Sequence, residues 1–206
     1  MQLFLRLMVY SCMQQLKWID SIGDLFLLIS EKQRDTWSGI ANRALWLNGV
    51  TEIADDFTDP LQADYGAACK VQEHFGVVDL ENGQALVLAQ IRASTACFSR
   101  GEDVFFIVRW MHAPDEAHVS AVIEKFMPDD STAWIFETDF FIDSATCFLF
   151  DPGLTWHKLQ ELNDDFLELR VKPGNYKISS VDYEPDEETH LLIHRFARIT
   201  GGMQQG

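Results

Sequence analysis

Apolar and polar positions along the chain change period several times, and the changes mark the elements. From Phe166 to Ile199 the period is two: Leu167, Leu169 and Val171 alternate with Glu168, Arg170 and Lys172, as in a half-buried strand. Lys172-Pro173-Gly174-Asn175 has Pro and Gly at the central positions of a type II turn. Tyr176 to Tyr183 then runs back, and Leu191 to Phe196 returns after Glu184-Pro185-Asp186-Glu187-Glu188. This predicts a three-stranded antiparallel meander. Within its second strand the apolar phase moves from Tyr176/Ile178 to Val181/Tyr183 across Ser179-Ser180, which predicts a β-bulge there.

Earlier in the chain, Lys17 to Ser30 reads as two short strands around Gly23-Asp24, with Leu25 to Ile29 continuously apolar like a central strand. Asp64 to Phe75 places Tyr65, Ala68, Val71 and Phe75 at helical spacing and predicts a short helix ending at Gly76. Val77 to Leu80 and Ala85 to Leu88 flank Glu81-Asn82-Gly83, a β-hairpin signal. Asp103 to Met111 predicts a buried strand. A helix follows it, begun by Pro114-Asp115, with Val119, Val122, Ile123 and Phe126 on one face and Pro128 closing it. Ala133 to Phe150 gives two strands broken at Asp143-Ser144, and Asp151-Pro152-Gly153 is a turn before a polar stretch to Asp165. The fold class is therefore α+β, largely antiparallel sheet with a C-terminal three-stranded meander and two or three helices. The organisation expected is a leader over residues 1–16, a single α+β domain over 17–199 and a disordered tail over 200–206, with Met8 or Met13 as alternative starts.

Composition narrows the partners. The chain has 206 residues, 47% of them hydrophobic, enough to build a core, and a net charge of −16. From Asp115 to Glu188 there are 18 acidic residues against 5 Lys and Arg, so this half holds a balance of −13. Such a charge is repelled by DNA, RNA and anionic membrane; it suits a basic protein partner, or serves solubility alone. No apolar run reaches the ~18 residues of a membrane span. Cys12, Cys69, Cys97 and Cys147 are far apart with no C-x-x-C pair, so free thiols in a reducing cytosol are expected.

Catalytic chemistry is thinly represented. His190 and His194 would share a helix face as metal ligands, but in a strand they stand ~13 Å apart. Glu137, Asp139 and Asp143, with Asp129 upstream, outline the acidic cluster of a metal-dependent hydrolase, without the lysine that should follow the second acid. No G-x-S-x-G, H-E-x-x-H, Walker or G-x-G-x-x-G pattern occurs. The expectation is a non-enzyme without metal or cofactor, with the hydrolase or an accessory subunit of another complex as alternatives.

Taken in order, several short motifs resemble the immunity protein 21 family of bacterial polymorphic toxin systems. They are Trp18-Ile19-Asp20-Ser21-Ile22-Gly23 with Leu25-Phe26-Leu27-Leu28, Trp37-Ser38-Gly39, Asp64-Tyr65 with Ala68-Cys69, and Gly83-Gln84-Ala85-Leu86-Val87-Leu88. Arg109-Trp110, Pro173-Gly174-Asn175-Tyr176, Tyr183-Glu184-Pro185-Asp186 and His194-Arg195 complete the set, which spans Lys17 to Arg198. The resemblance implies a cytoplasmic antitoxin that binds and neutralises a cognate toxin domain. A nuclease or another nucleic-acid-targeting toxin would supply the basic surface. The charge pattern nominates the contacts: Asp182, Glu184, Asp186, Glu187 and Glu188, with Asp164 and Asp165 as neighbours and Trp37 as an apolar anchor.

Overall fold

The computed structural model describes residues 16–21, 23–40, 64–89, 92–128 and 132–200. The expected leader up to residue 15, most of the tail, Cys12 and Asp129 lie outside them.

Among the described residues, ten strands form two five-stranded antiparallel sheets. The first has the order β2 (Phe75–Leu80), β3 (Gly83–Leu88), β1 (Phe26–Ser30), β7 (Thr146–Phe150), β8 (Leu167–Arg170). The second runs β4 (Ser94–Ser99), β5 (Val104–His112), β10 (Thr189–Arg198), β9 (Gly174–Asp186), β6 (Ile135–Ile142). Alternation decides which side chains go where. In β1, Phe26 and Leu28 face the second sheet and join Leu86, Leu149, Ile107, Tyr176, Ile178 and Phe196 in a core between the sheets. The opposite parity, Leu27 and Ile29 of β1 with Leu25 just before it, is also buried, against Trp37, Ala68, Leu154, Trp156 and Leu159. This is why residues 25–29 are apolar without a break: both faces of the strand are covered.

Three helices supply the outer cover. α1 (Asp64–Ala68) and α3 (Trp156–Leu162) lie on the outer face of the first sheet, and α2 (Glu116–Lys125) lies on that of the second. Asp115 caps α2 by accepting from His118 N at 2.8 Å, and Val119, Ile123 and Phe126 pack onto Phe98, Phe106, Val108, Leu191 and Ile193. Thr155 caps α3, accepting from Lys158 N at 3.2 Å, and Asn163 ends it in the left-handed conformation (φ 51°). Gly39 (φ +59°) has no room for a side chain, since a Cβ would stand 2.9 Å from the Leu154 carbonyl carbon.

The hairpin β2–β3, the strand β5, the helix α2 and the strands β6 and β7 stand where the sequence pattern puts them. The meander does not form as expected. β9 and β10 pair, but β8 pairs with β7 in the other sheet, and β6 takes the second side of β9. Val171 to Pro173 is thus a crossing between sheets, held by Tyr176 OH donating to Lys172 O at 2.6 Å. The irregularity expected at Ser179-Ser180 lies in the neighbouring strand: β9 and β10 keep register from Tyr176↔Arg198 to Tyr183↔Leu191, but in the β6–β9 ladder Ile135 pairs with Ser180 and Thr138 with Ile178, so the extra residue is in β6. The apolar phase shifts because the inner face of β9 is covered along Tyr176 and Ile178, whereas Val181 and Tyr183 are covered on the outer face by the α2 layer.

The two strands expected over Lys17–Ser30 do not pair with each other. Ile19 bridges Thr95 of β4 in the second sheet, while β1 lies in the first. The helix expected over Asp64–Phe75 stops at Ala68, and Phe75 and Gly76 already belong to β2. Cys69, Cys97 and Cys147 are free, and among the described residues no helix is long and apolar enough to cross a membrane.

Candidate partner-binding surface

The β9–β10 hairpin ends in the acidic turn, and Asp182, Glu184, Asp186, Glu187 and Glu188 are all exposed on it. Two histidines stand against these acids. His190 Nε2 lies 3.1 Å from Asp182 Oδ1 and 3.9 Å from Glu184 Oε1. His118, on α2, places Nε2 2.8 Å from Thr189 Oγ1 and 3.6 Å from Asp186 Oδ2. Asp186 Oδ1 also accepts from Glu188 N at 3.0 Å, which tightens the turn. Hydrogen bonds from the Thr189 side chain and Glu188 N, with His118 nearby, hold the Asp186 carboxyl below the usual range. Sequence reasoning missed the part of His118, because its place beside Asp186 depends on where α2 docks. The charged tip is therefore a positioned feature: its turn is braced by α2, and Glu187 and Glu188 project at its end.

The other nominated residues are not gathered here. Asp164 and Asp165 follow α3 at the entry to β8, in the first sheet, where Asp165 Oδ1 sits 3.3 Å from Lys17 Nζ. Trp37 is 1% exposed, so it is not an anchor on the free surface. Its indole N–H donates to Pro152 O at 2.7 Å, and its ring lies in the cluster beneath α1 and α3. The only polar atom of the indole finds its acceptor inside, which makes burial of so large a ring favourable.

The carboxylates of the hydrolase alternative are kept apart by the fold. Glu137 Oε2 is 3.2 Å from Lys177 Nζ across the β6–β9 pair, whereas Asp143 lies beyond the end of β6 and accepts from Gln33 Nε2 at 3.3 Å. Among the described residues no group of three His, Cys, Asp or Glu side chains could hold a metal ion. His190 is partly exposed at an irregularity in the β5–β10 and β9–β10 registers, and His194 is buried four residues on.

His194 belongs to a polar layer between the sheets. Its Nδ1 is 2.7 Å from Ser180 Oγ, a geometry that resembles a nucleophile and its base. Both residues are 0% exposed, so no substrate can reach the pair. Burial, reinforced by the charges of Arg109 and His74, holds the His194 imidazole neutral, well below its ordinary titration range. Arg109, also 0% exposed, donates from Nη1 to Ala89 O at 2.9 Å and from Nη2 to Asp24 O at 3.3 Å. Burial pushes its guanidinium down to about 10, and the Asp24 carboxylate opposes the shift. Arg109 ties the two sheets together, whereas His194 and Ser180 pair across neighbouring strands of the second, and all three are buried.

The fold is a pair of antiparallel sheets, and of the nominated residues it gathers five acids on one exposed hairpin, Asp182, Glu184, Asp186, Glu187 and Glu188. Residues 17–189 match the model of the family described as Immunity protein 21, and the chain belongs to that family. No curated protein and no solved structure matches the chain.

Proposed function

We propose that the chain is a cytoplasmic, non-catalytic antitoxin that binds a cognate toxin domain and blocks it. The match to the immunity protein 21 family across residues 17–189 carries this reading. The acidic hairpin supports a basic toxin surface as the partner, because a concentrated field of one sign steers encounter with the opposite sign. A toxin that acts on nucleic acid needs such a basic surface for its own substrate, and covering it would deny that substrate access.

Charges at the rim of an interface act mainly on the association rate. Replacing Asp186, Glu187 and Glu188 together by alanine is expected to slow association with the toxin roughly tenfold at low salt and to flatten its salt dependence, with a smaller change in dissociation. Stopped-flow mixing at two ionic strengths reads both. Unchanged association kinetics would remove the hairpin from the interface.

A further inference from the structure

A groove of about 690 Å³, lined by Asp20, Ser21, Arg92, Ala93, Ser94 and Trp110, opens on the second sheet. Strand register places it. Ser94 pairs with Trp110, Trp110 with Leu191 and Leu191 with Tyr183, so a row crosses the sheet from the groove to the arm of the acidic hairpin. The acids Asp182 and Glu184 flank Tyr183 at the other end of that row. The groove and the hairpin thus occupy the same end of the sheet.

Its walls are fixed. Ile19 and Thr95 exchange two backbone hydrogen bonds, Ile19 N to Thr95 O at 2.9 Å and Thr95 N to Ile19 O at 2.8 Å. Ile19 turns into the core between the sheets, and its neighbours Trp18 and Asp20 take the outer side. Trp18 meets Trp110 in a T-shaped contact with centroids 5.6 Å apart, which braces the indole. Asp20 is exposed, and Ser94 Oγ–H donates to its Oδ1 at 2.6 Å. That bond orients the carboxylate at the edge of the groove.

An indole beside an oriented carboxylate is the chemistry of cation capture: the ring attracts the cation and the carboxylate accepts its N–H groups. A guanidinium satisfies both better than an ammonium, because it is planar, stacks, and is more weakly hydrated. We infer that this groove is an anchor site for an arginine side chain of the partner protein. The inference rests on the antitoxin reading and deepens it by naming a contact away from the acidic turn. Arg92 is the one cation among the described lining residues, so it opposes the guest.

The test uses the full chain and the purified toxin domain encoded beside its gene, with affinity measured by calorimetry. Asp20→Asn changes an exposed side chain and leaves the fold intact, as circular dichroism will check. It is expected to weaken binding roughly 10- to 100-fold, the range for losing a hydrogen bond to a charged group. Arg92→Gln is expected to tighten binding. Wild-type binding that Asp20→Asn leaves unchanged would overturn the groove assignment while the antitoxin reading stands. The reverse pattern, with Asp20→Asn tighter and Arg92→Gln weaker, would mean an anionic guest and also overturn it. Absence of wild-type binding would overturn the antitoxin reading, and the arginine anchor with it.

Discussion

Arg109→Ala is expected to lower the unfolding free energy by about 3–5 kcal/mol, from two buried carbonyls left without a donor at about 1–3 kcal/mol each. The guanidinium crosses from β5 of the second sheet to the carbonyls of Ala89 and Asp24, which flank β3 and β1 of the first. It also lies 5.7 Å from the centroid of Phe26. Truncation would leave those carbonyls without a donor and open a void in a layer where neighbours cannot close in freely. Arg109→Lys is expected to recover only part of the loss, because an ammonium lacks the planar fork that reaches two carbonyls at once. Urea unfolding followed by tryptophan fluorescence gives the measurement. A loss under 1 kcal/mol for Arg109→Ala would show that the sheets are held by their apolar contacts alone.

Acid is expected to destabilise the protein through His194. In the folded chain burial holds this imidazole neutral, and in the unfolded chain it takes a proton near pH 6.5. Below that pH the unfolded state binds more protons than the native state, so unfolding becomes easier as pH falls. The slope approaches 1.36 kcal/mol per pH unit, so His194 should remove up to about 2 kcal/mol between pH 6.5 and 5. The groups around it reinforce this sense: Ser180 offers a hydroxyl, Phe75 meets the ring edge-on, and Arg109 and His74 disfavour a second positive charge. His118 and His190 sit beside carboxylates at the surface, so the comparison that isolates His194 is wild type against His194→Gln. The wild type should lose more stability than the variant over that interval, as read by urea unfolding at pH 7 and pH 5. Equal losses would show that the native state accommodates the proton.

Local periodicity carried much of this fold into view, and its failures share a cause. The Asn82-Gly83 hairpin, the β5 strand and the α2 face were legible because each is decided by neighbours within about ten residues. Which sheet a strand joins was not. Leu167 and Leu169 alternate correctly for an edge strand, yet nothing local says that they pair with Cys147 and Leu149 and not with Tyr176 to Tyr183. The Ser179-Ser180 phase shift marks a real irregularity, but the extra residue stands in β6, and β9 changes phase because it is covered on different faces along its length. α3 was passed over in a polar stretch, although Thr155 before Trp156, Leu159 and Leu162 at three-residue spacing is a helix-start signal.

For the candidate site, the acidic turn was legible from composition, because charged residues at a hairpin tip stay in water wherever the strands go. Trp37 was not, since its acceptor, Pro152 O, is 115 residues away. The groove escaped notice for the same reason: Asp20, Ser94 and Trp110 come together only through the Ile19–Thr95 bridge and the β4–β5 register.

Co-expression of this chain with the gene encoded beside it, scored by growth and by co-purification, tests the central claim most directly. The account predicts that the neighbouring gene alone arrests growth, that this chain restores it, and that the two polypeptides leave the column as a stable complex. Growth arrest that this chain fails to relieve, with no complex recovered, would contradict it.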